Sequence, residues 1–302
     1  MKEAGTVDGL WNPVENAIDF HIHIGPDTVA RYYDSISLAN EAAKKGMRAL
    51  VLKDQMCPSV HKALLTNRFT SDVELFGGIV LNHTNGGLNP RSVIVTMKTG
   101  GKIVWLPTVD AKWCIEKGKS GHWIEMVNKR NSFGYSQDGI SLLSNGRVKQ
   151  EIIEILKIAV EYNAVVATGH ISPEECMAVV EANANIGAKI LITHPNLWFD
   201  DFDLNVLMDL VKGGAIVEFT FGGLTPLRGR GNPVEIVDAI KYLGYKNCIL
   251  STDLGAIDNC SPVEGLRSFA YILNKCGLSK EIIEYMIKIK PAELLCLDTC
   301  DC

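Results

Sequence analysis

Eight short, almost continuous apolar runs punctuate this chain, at 17–23, 48–53, 75–82, 102–107, 164–169, 188–193, 215–220 and 247–252. They lack the alternation of a half-solvated strand and read as parallel strands covered on both faces. Parallel strands need crossovers, and the intervening segments carry helix signals. Asn89-Pro90 and Asn232-Pro233 each put a capping side chain before a proline at the first helical position, with Gly100 and Gly244 at the far ends. Ser172-Pro173-Glu174-Glu175 is a capping box whose helix closes at Gly187. Over 147–162, Val148, Ile152, Ile155, Leu156 and Ala159 form one helical stripe. Eight strand–helix units in 302 residues predict an α/β fold, a (β/α)8 TIM-type barrel that is a single domain over 1–302. A doubly wound open sheet is the alternative. No run is followed by the Gly-x-Gly-x-x-Gly or Gly-x-x-x-x-Gly-Lys-Ser/Thr turn that would cradle a nucleotide.

The spacing has one long gap, between the fourth and fifth runs. Residues 111–146 there read as an extended loop over the barrel's upper face, carrying Trp113, His122, Trp123, Phe133 and Tyr135. Gly139–Leu143 is expected to form part of a small hairpin. Helices at 262–275 and 279–290 are expected outside the closed sheet, followed by a tail at 297–302. Cys296, Cys300 and Cys302 near it read as incidental thiols rather than a soft-metal site.

The formal net charge of −5 comes without a Lys/Arg block, which argues against nucleic-acid or membrane partners. There is no run of about 18 apolar residues to span a bilayer. Nine scattered cysteines, and an opening Met1-Lys2-Glu3-Ala4-Gly5 that leads into no apolar run, predict reduced thiols in a cytoplasmic protein. A small-molecule substrate is expected; association into a homo-oligomer is left open.

Function is expected at the strands' C-terminal ends, where barrel enzymes gather catalytic groups. The first run supplies His21 and His23, which share a face at i and i+2. Later runs supply Lys53 and Asp54, Asn82 and His83, Thr108 and Asp110, His170, His194, Glu218 with Thr220, and Ser251-Thr252-Asp253. Five of the seven histidines fall at such ends. Buried imidazoles and carboxylates beside apolar runs are costly unless partnered, and a divalent metal would partner them together. Such an ion would acidify a water to near neutrality, and Asp253 is best placed to take the proton. Each residue also has a plainer reading. Asp253 can cap a helix, His194-Pro195 can turn the chain, Lys53 can pair with Asp54, Asp110 or Glu218, and Arg31 can be an ordinary surface arginine.

The set His21-x-His23, His170, His194 and Asp253 on strands one, five, six and eight resembles that of the amidohydrolase superfamily. Lys290-Pro291-Ala292-Glu293-Leu294-Leu295 is similar to the Asn-Pro-Ala-x-Leu-Leu helix that follows the barrel in many members. The resemblance spans about residues 15–298. It implies one or two divalent ions, Zn first with Mn and Fe as alternatives. His21, His23 and Asp253 would hold the first ion and His170 and His194 the second. In mononuclear members His170 joins the first set and His194 polarises the substrate.

Two departures stand out. Strand four ends Trp105-Leu106-Pro107-Thr108 and offers no bridging Lys or Glu, and no β-sandwich precedes strand one. The available lysine is Lys53 on strand two, either carbamylated as a bridge or an ammonium that binds a substrate carboxylate or oxyanion. The reading is a metal-dependent hydrolase of an amide, lactone or related carbonyl. Asp253 would serve as ligand and base, Lys53 or His83 would stabilise the oxyanion, and Lys53, Arg31 and Glu218 would meet the substrate. The alternatives are a metal-dependent non-oxidative decarboxylase or hydratase of a small carboxylic acid, and a non-catalytic metal-binding barrel.

Overall fold

A ring of parallel strands surrounds a core of inward-facing side chains in the computed structural model, which describes residues 11–118, 138–226 and 231–297. The strands are β1 (Ile18–His23), β2 (Ala49–Lys53), β3 (Glu74–Phe76), β4 (Gly78–Val80), β5 (Ile103–Trp105), β6 (Leu143–Ser144), β7 (Arg147–Val148), β8 (Val165–Ala167), β9 (Lys189–Ile192), β10 (Ile216–Thr220) and β11 (Cys248–Ser251). They pair in the orders β1-β2-β3 and β11-β10-β9-β8-β5-β4, all parallel, with β6 and β7 as a separate antiparallel hairpin.

The two sheets meet at both edges. The third apolar run of the sequence is β3 plus β4; β3 pairs with β2 and β4 pairs with β5. The chain breaks at glycines because a Cβ on Gly78 would lie 1.9 Å from the Ile103 carbonyl oxygen. At the other edge, Ile22 bridges Leu254, and two bonds of 2.8 Å run from Asp253 N to His21 O and from His23 N to Leu254 O. The architecture is the (β/α)8 barrel expected from the run spacing, with strands shorter than the runs.

Alternate strand residues fill the barrel's interior. Ile18, Phe20, Ala49, Val51, Val80, Ile103, Trp105, Val165, Ala167, Leu191 and Ile249 form one buried cluster. Ala292, Leu294 and Leu295 belong to the same cluster and close its lower end. The last helix therefore differs from the expected 279–290 segment packed outside the sheet. It runs from Lys280–Glu284 through a π turn at Tyr285–Ile289 to Lys290–Leu295. The wider turn lies just before Pro291, which has no N–H to give and whose ring would crowd the Ile287 carbonyl in a regular helix.

The caps read from the sequence are present. Asn89 accepts from Arg91 N, Asn232 accepts from Val234 N, and Ser172 and Glu175 complete a capping box. The hairpin lies at 143–148, later than the expected 139–143, and turns at Asn145-Gly146 with both residues at positive φ. The helix expected from 147 accordingly starts at Gln150. Inside the expected 111–146 loop, Lys112–Lys117 is helical; His122, Trp123, Phe133 and Tyr135 lie outside the described residues, as do Cys300 and Cys302. Among the described residues, seven cysteines are free thiols. Burial pushes the Cys248 thiol up to about 12. Among the described residues no helix is long and apolar enough to cross a membrane.

Candidate metal centre

A bulge in β1 makes the site possible. Ile18 and Phe20 face the interior cluster, and the β1–β2 register then shifts between Asp19 and Ile22. After the shift, Ile22 and Ile24 pack outward with Leu38 and Ala39, and the imidazoles of His21 and His23 point up the barrel. A bulge of this kind re-aims a side chain at the cost of ladder pairing. On β2 the interior set Ala49, Val51 continues to Lys53, and on β10 it continues to Glu218.

His21, His23 and Asp253 are buried and offer ligand atoms within 4.8 Å of one another. Asp253 Oδ1 lies 3.1 Å from both His21 Nε2 and His23 Nε2. Lys53 Nζ is 3.0 Å from His21 Nε2 and 5.6 Å above the Trp105 ring, which forms the boundary with the apolar interior. On its other nitrogen, His21 Nδ1 is 3.2 Å from Glu218 Oε2, and Ser251 Oγ donates to Glu218 Oε1 at 2.6 Å. The His194 ring stacks on His21 with centroids 5.8 Å apart. His170 Nε2 and His194 Nε2 are 3.2 Å apart, and Cys114 Sγ lies 3.5 Å from His170 Nδ1. The five residues expected as ligands thus form one continuous chain of contacts: His23, Asp253, His21, His194, His170.

Two of the five sit on unusual backbone. Asp253 has φ +52° and His194 φ +35°, left-handed values that cost a non-glycine residue of order 1–3 kcal/mol. The next turn needs glycine: a Cβ on Gly255, at φ +137°, would fall 1.9 Å from the His23 carbonyl oxygen.

Side chains hold the rim where the ladder ends. Asn82 Oδ1 accepts from Thr108 N at 2.9 Å, and its amide donates to Thr108 Oγ1 at 2.9 Å. Asn196 grips Thr220 from both sides, accepting from its N and donating to its O. Across β8 and β9, Thr168 Oγ1 accepts from Thr193 N and Thr193 Oγ1 accepts from Gly169 N, both at 3.0 Å. Asp19 spans β1 and β11, accepting from His21 N, Thr252 N and Thr252 Oγ1. Burial raises the Asp19 carboxyl to about 7, against the lowering effect of those bonds. Burial, then the Arg31 and Lys53 charges, lower His23 to about 3 despite the pull of Asp253, so the ring stays neutral at ordinary pH.

The remaining expected residues are placed differently. His83 is exposed, with Nε2 3.2 Å from the Asp138 carbonyl. Arg31 clamps Asp27, Nε at 2.7 Å and Nη2 at 2.6 Å. Glu218 reads from the sequence as substrate-facing, but both its oxygens meet protein groups on the wall behind His21. Sequence reading did not single out Asp19, Cys114, Asn196 or Trp198. Trp198 packs against His170 at 6.2 Å and Trp113 at 4.8 Å. The one signal available for Asp19 was an aspartate inside an apolar run.

These donors suit a divalent ion. Two imidazole nitrogens converge on one carboxylate oxygen in a dry site, and His23 is held neutral, the charge state in which an imidazole ligates a metal.

A model for a family of unknown function, DUF6282, matches residues 16–218, a span that contains all four clustered histidines but ends before Asp253. No curated protein matches in sequence. Among solved structures, an amidohydrolase from Pseudomonas aeruginosa superposes with TM-score 0.63 at 12% identity, covering 94% of this chain and 96% of that one. A Xaa-Pro dipeptidase gives 0.60 at 17% identity over 94% and 75%. A 2,6-dihydroxybenzoate decarboxylase gives 0.55 at 10% identity over 94% and 100%. The chain shares the barrel fold of amidohydrolase-superfamily enzymes.

Proposed function

This chain belongs to DUF6282, a family of unknown function, and we propose that it is a metal-dependent hydrolase of the amidohydrolase type, acting on an amide, lactone or related carbonyl of a small molecule. The observation that carries the reading is the convergence of His21, His23 and Asp253 at the barrel mouth. These three would hold the first ion, with His170 and His194 lying beside it for a second ion or for the substrate carbonyl. A bound divalent ion, Zn first and Mn or Fe as alternatives, would supply Lewis acidity to water and carbonyl. Asp253 takes the proton of the attacking water and returns it to the leaving nitrogen or oxygen. The Lys53 ammonium stabilises the developing oxyanion. Its burial above Trp105 removes competing water and strengthens that interaction. Arg31 and His83 would meet the distal part of a substrate rather than the reacting carbonyl.

The test is a panel of lactones and N-acyl amides presented to protein loaded in turn with Zn, Mn and Fe. Turnover that falls in Lys53→Met and Asp253→Asn supports the reading. Release of carbon dioxide from small carboxylic acids, without hydrolysis of any carbonyl substrate, would replace it with decarboxylation.

A further inference from the structure

His21 has two ring nitrogens, and the structure surrounds them with opposite chemistry. A carboxylate only accepts hydrogen bonds, and Glu218 Oε2 lies 3.2 Å from Nδ1. A lysine ammonium only donates, and Lys53 Nζ lies 3.0 Å from Nε2. Glu218 and Lys53 favour the same tautomer, the proton on Nδ1 and the lone pair on Nε2, whereas Asp253 taken alone would favour a proton on Nε2. Nε2 is also the nitrogen 3.1 Å from Asp253 Oδ1. A lone pair facing a carboxylate oxygen at that distance is repulsive unless positive charge stands with them.

We propose that Glu218 is the positioning residue that fixes His21 as a metal ligand, with Ser251 fixing Glu218 in turn. Glu218 holds the Nδ1 proton and thereby leaves Nε2 bare toward His23 and Asp253. Ser251 Oγ donates to the second Glu218 oxygen at 2.6 Å, and both residues are at most 1% exposed, so the carboxylate has no water to turn toward. Glu218 and Ser251 are diagonal neighbours on the β10–β11 ladder, two residues apart in register, Glu218 being aligned with Ile249 and Thr220 with Ser251. The relay therefore rests on ladder-held backbone. Carboxylate partners of this kind raise the basicity of a ligating imidazole and fix its orientation. The inference rests on the metal reading proposed above, and it takes Glu218 out of the substrate's reach.

The test uses the full chain with nitrogen-labelled histidine and has two readouts. Long-range nitrogen–proton correlation on metal-free protein at neutral pH reads the His21 tautomer, with His21→Gln assigning the signals. Competition between the protein and a chelator for Zn alone reads affinity. Wild type is expected as the Nδ1–H form. In Glu218→Ala, His21 is expected to populate the Nε2–H form, and Zn affinity to drop roughly 10- to 100-fold. Glu218→Gln is expected to recover part of the loss, because its amide oxygen can still accept from Nδ1 while Ser251 turns to accept from its nitrogen. Ser251→Ala should give a smaller drop in the same direction. If Glu218→Ala does not fold, Glu218→Gln and Ser251→Ala carry both readouts. An unchanged tautomer together with Zn affinity within about twofold across the folded variants overturns the proposal. Failure of wild type to bind Zn, Mn or Fe overturns the hydrolase reading instead. The tautomer measurement then decides the role of Glu218 by itself.

Discussion

The floor and the mouth of this barrel are built by the same strands to opposite ends. At the floor, the side chains of Ala292, Leu294 and Leu295 close on Ile18, Ala49, Ile103 and their neighbours in one apolar cluster. A few residues further along the same strands, the interior positions become His21, His23, Lys53, Glu218 and Ser251. Buried charge at that density is costly unless each group has a partner. The mouth also carries the left-handed backbones of His194 and Asp253, whereas among the described residues no strand position below has a positive φ. The lower half supplies stability, and the upper half draws on it to hold charge and strain in place.

That contrast can be broken from either side. The largest effect is expected at the mouth, in metal binding. Asp253→Asn keeps a side chain that tolerates left-handed φ but removes the charge. Zn affinity should fall by more than about 100-fold, beyond an outer-shell substitution, while metal-free stability stays near wild type. Chelator competition and urea unfolding read the two quantities. Leu295→Ala should do the reverse, costing about 2–5 kcal/mol in urea unfolding while leaving Zn affinity unchanged. Equal loss of affinity in both variants would erase the distinction between the two ends.

The pH dependence of the metal-free protein sharpens the comparison. His23 is depressed from 6.5 to about 3, so the stability it contributes is full above 6.5 and is lost as pH falls toward 3. Asp19 is raised from 3.8 to about 7, so its contribution is full below 3.8 and is lost as pH rises toward 7. Between about pH 4 and 6.5 the two slopes oppose each other, and these two groups together leave stability nearly flat. Asp19→Asn removes one slope. Its stability should climb with pH across that window by about 1.4 kcal/mol per unit. A variant as flat as wild type would contradict the placement of the Asp19 proton.

The smallest effect is expected at the rim. Thr168→Val deprives the buried Thr193 N–H of its acceptor and should cost about 1–3 kcal/mol with little change in Zn affinity.

How far this was readable beforehand follows from the range of each interaction. The apolar runs announce eight parallel strands because burial on both faces leaves no polar positions, and Asn-Pro and Ser-Pro-Glu-Glu announce helix starts because caps are local. Histidines at run ends announce a metal group because little else brings imidazoles there. What escaped depends on partners far along the chain. The β1 bulge is invisible in Asp19-Phe20-His21, and the bond from His21 to Glu218 exists only once β1 and β10 share a barrel. Likewise, Asn196 reads as an ordinary loop residue, and Asn82 only as a polar group at a strand end, until their amides are seen replacing ladder bonds. The hairpin boundary is different: Asn145-Gly146 carries a local type I′ signal, but the apolar residues at 140–143 just before it suggest the earlier span 139–143.

The central claim is that the barrel mouth is a metal centre. Elemental analysis of protein prepared without chelators, wild type beside the double variant His21→Ala/His23→Ala, tests it most directly. The account predicts a stoichiometric divalent metal in wild type and its loss in the folded double variant. Wild type that stays metal-free after incubation with Zn, Mn and Fe, or a double variant that retains the full complement, would contradict it.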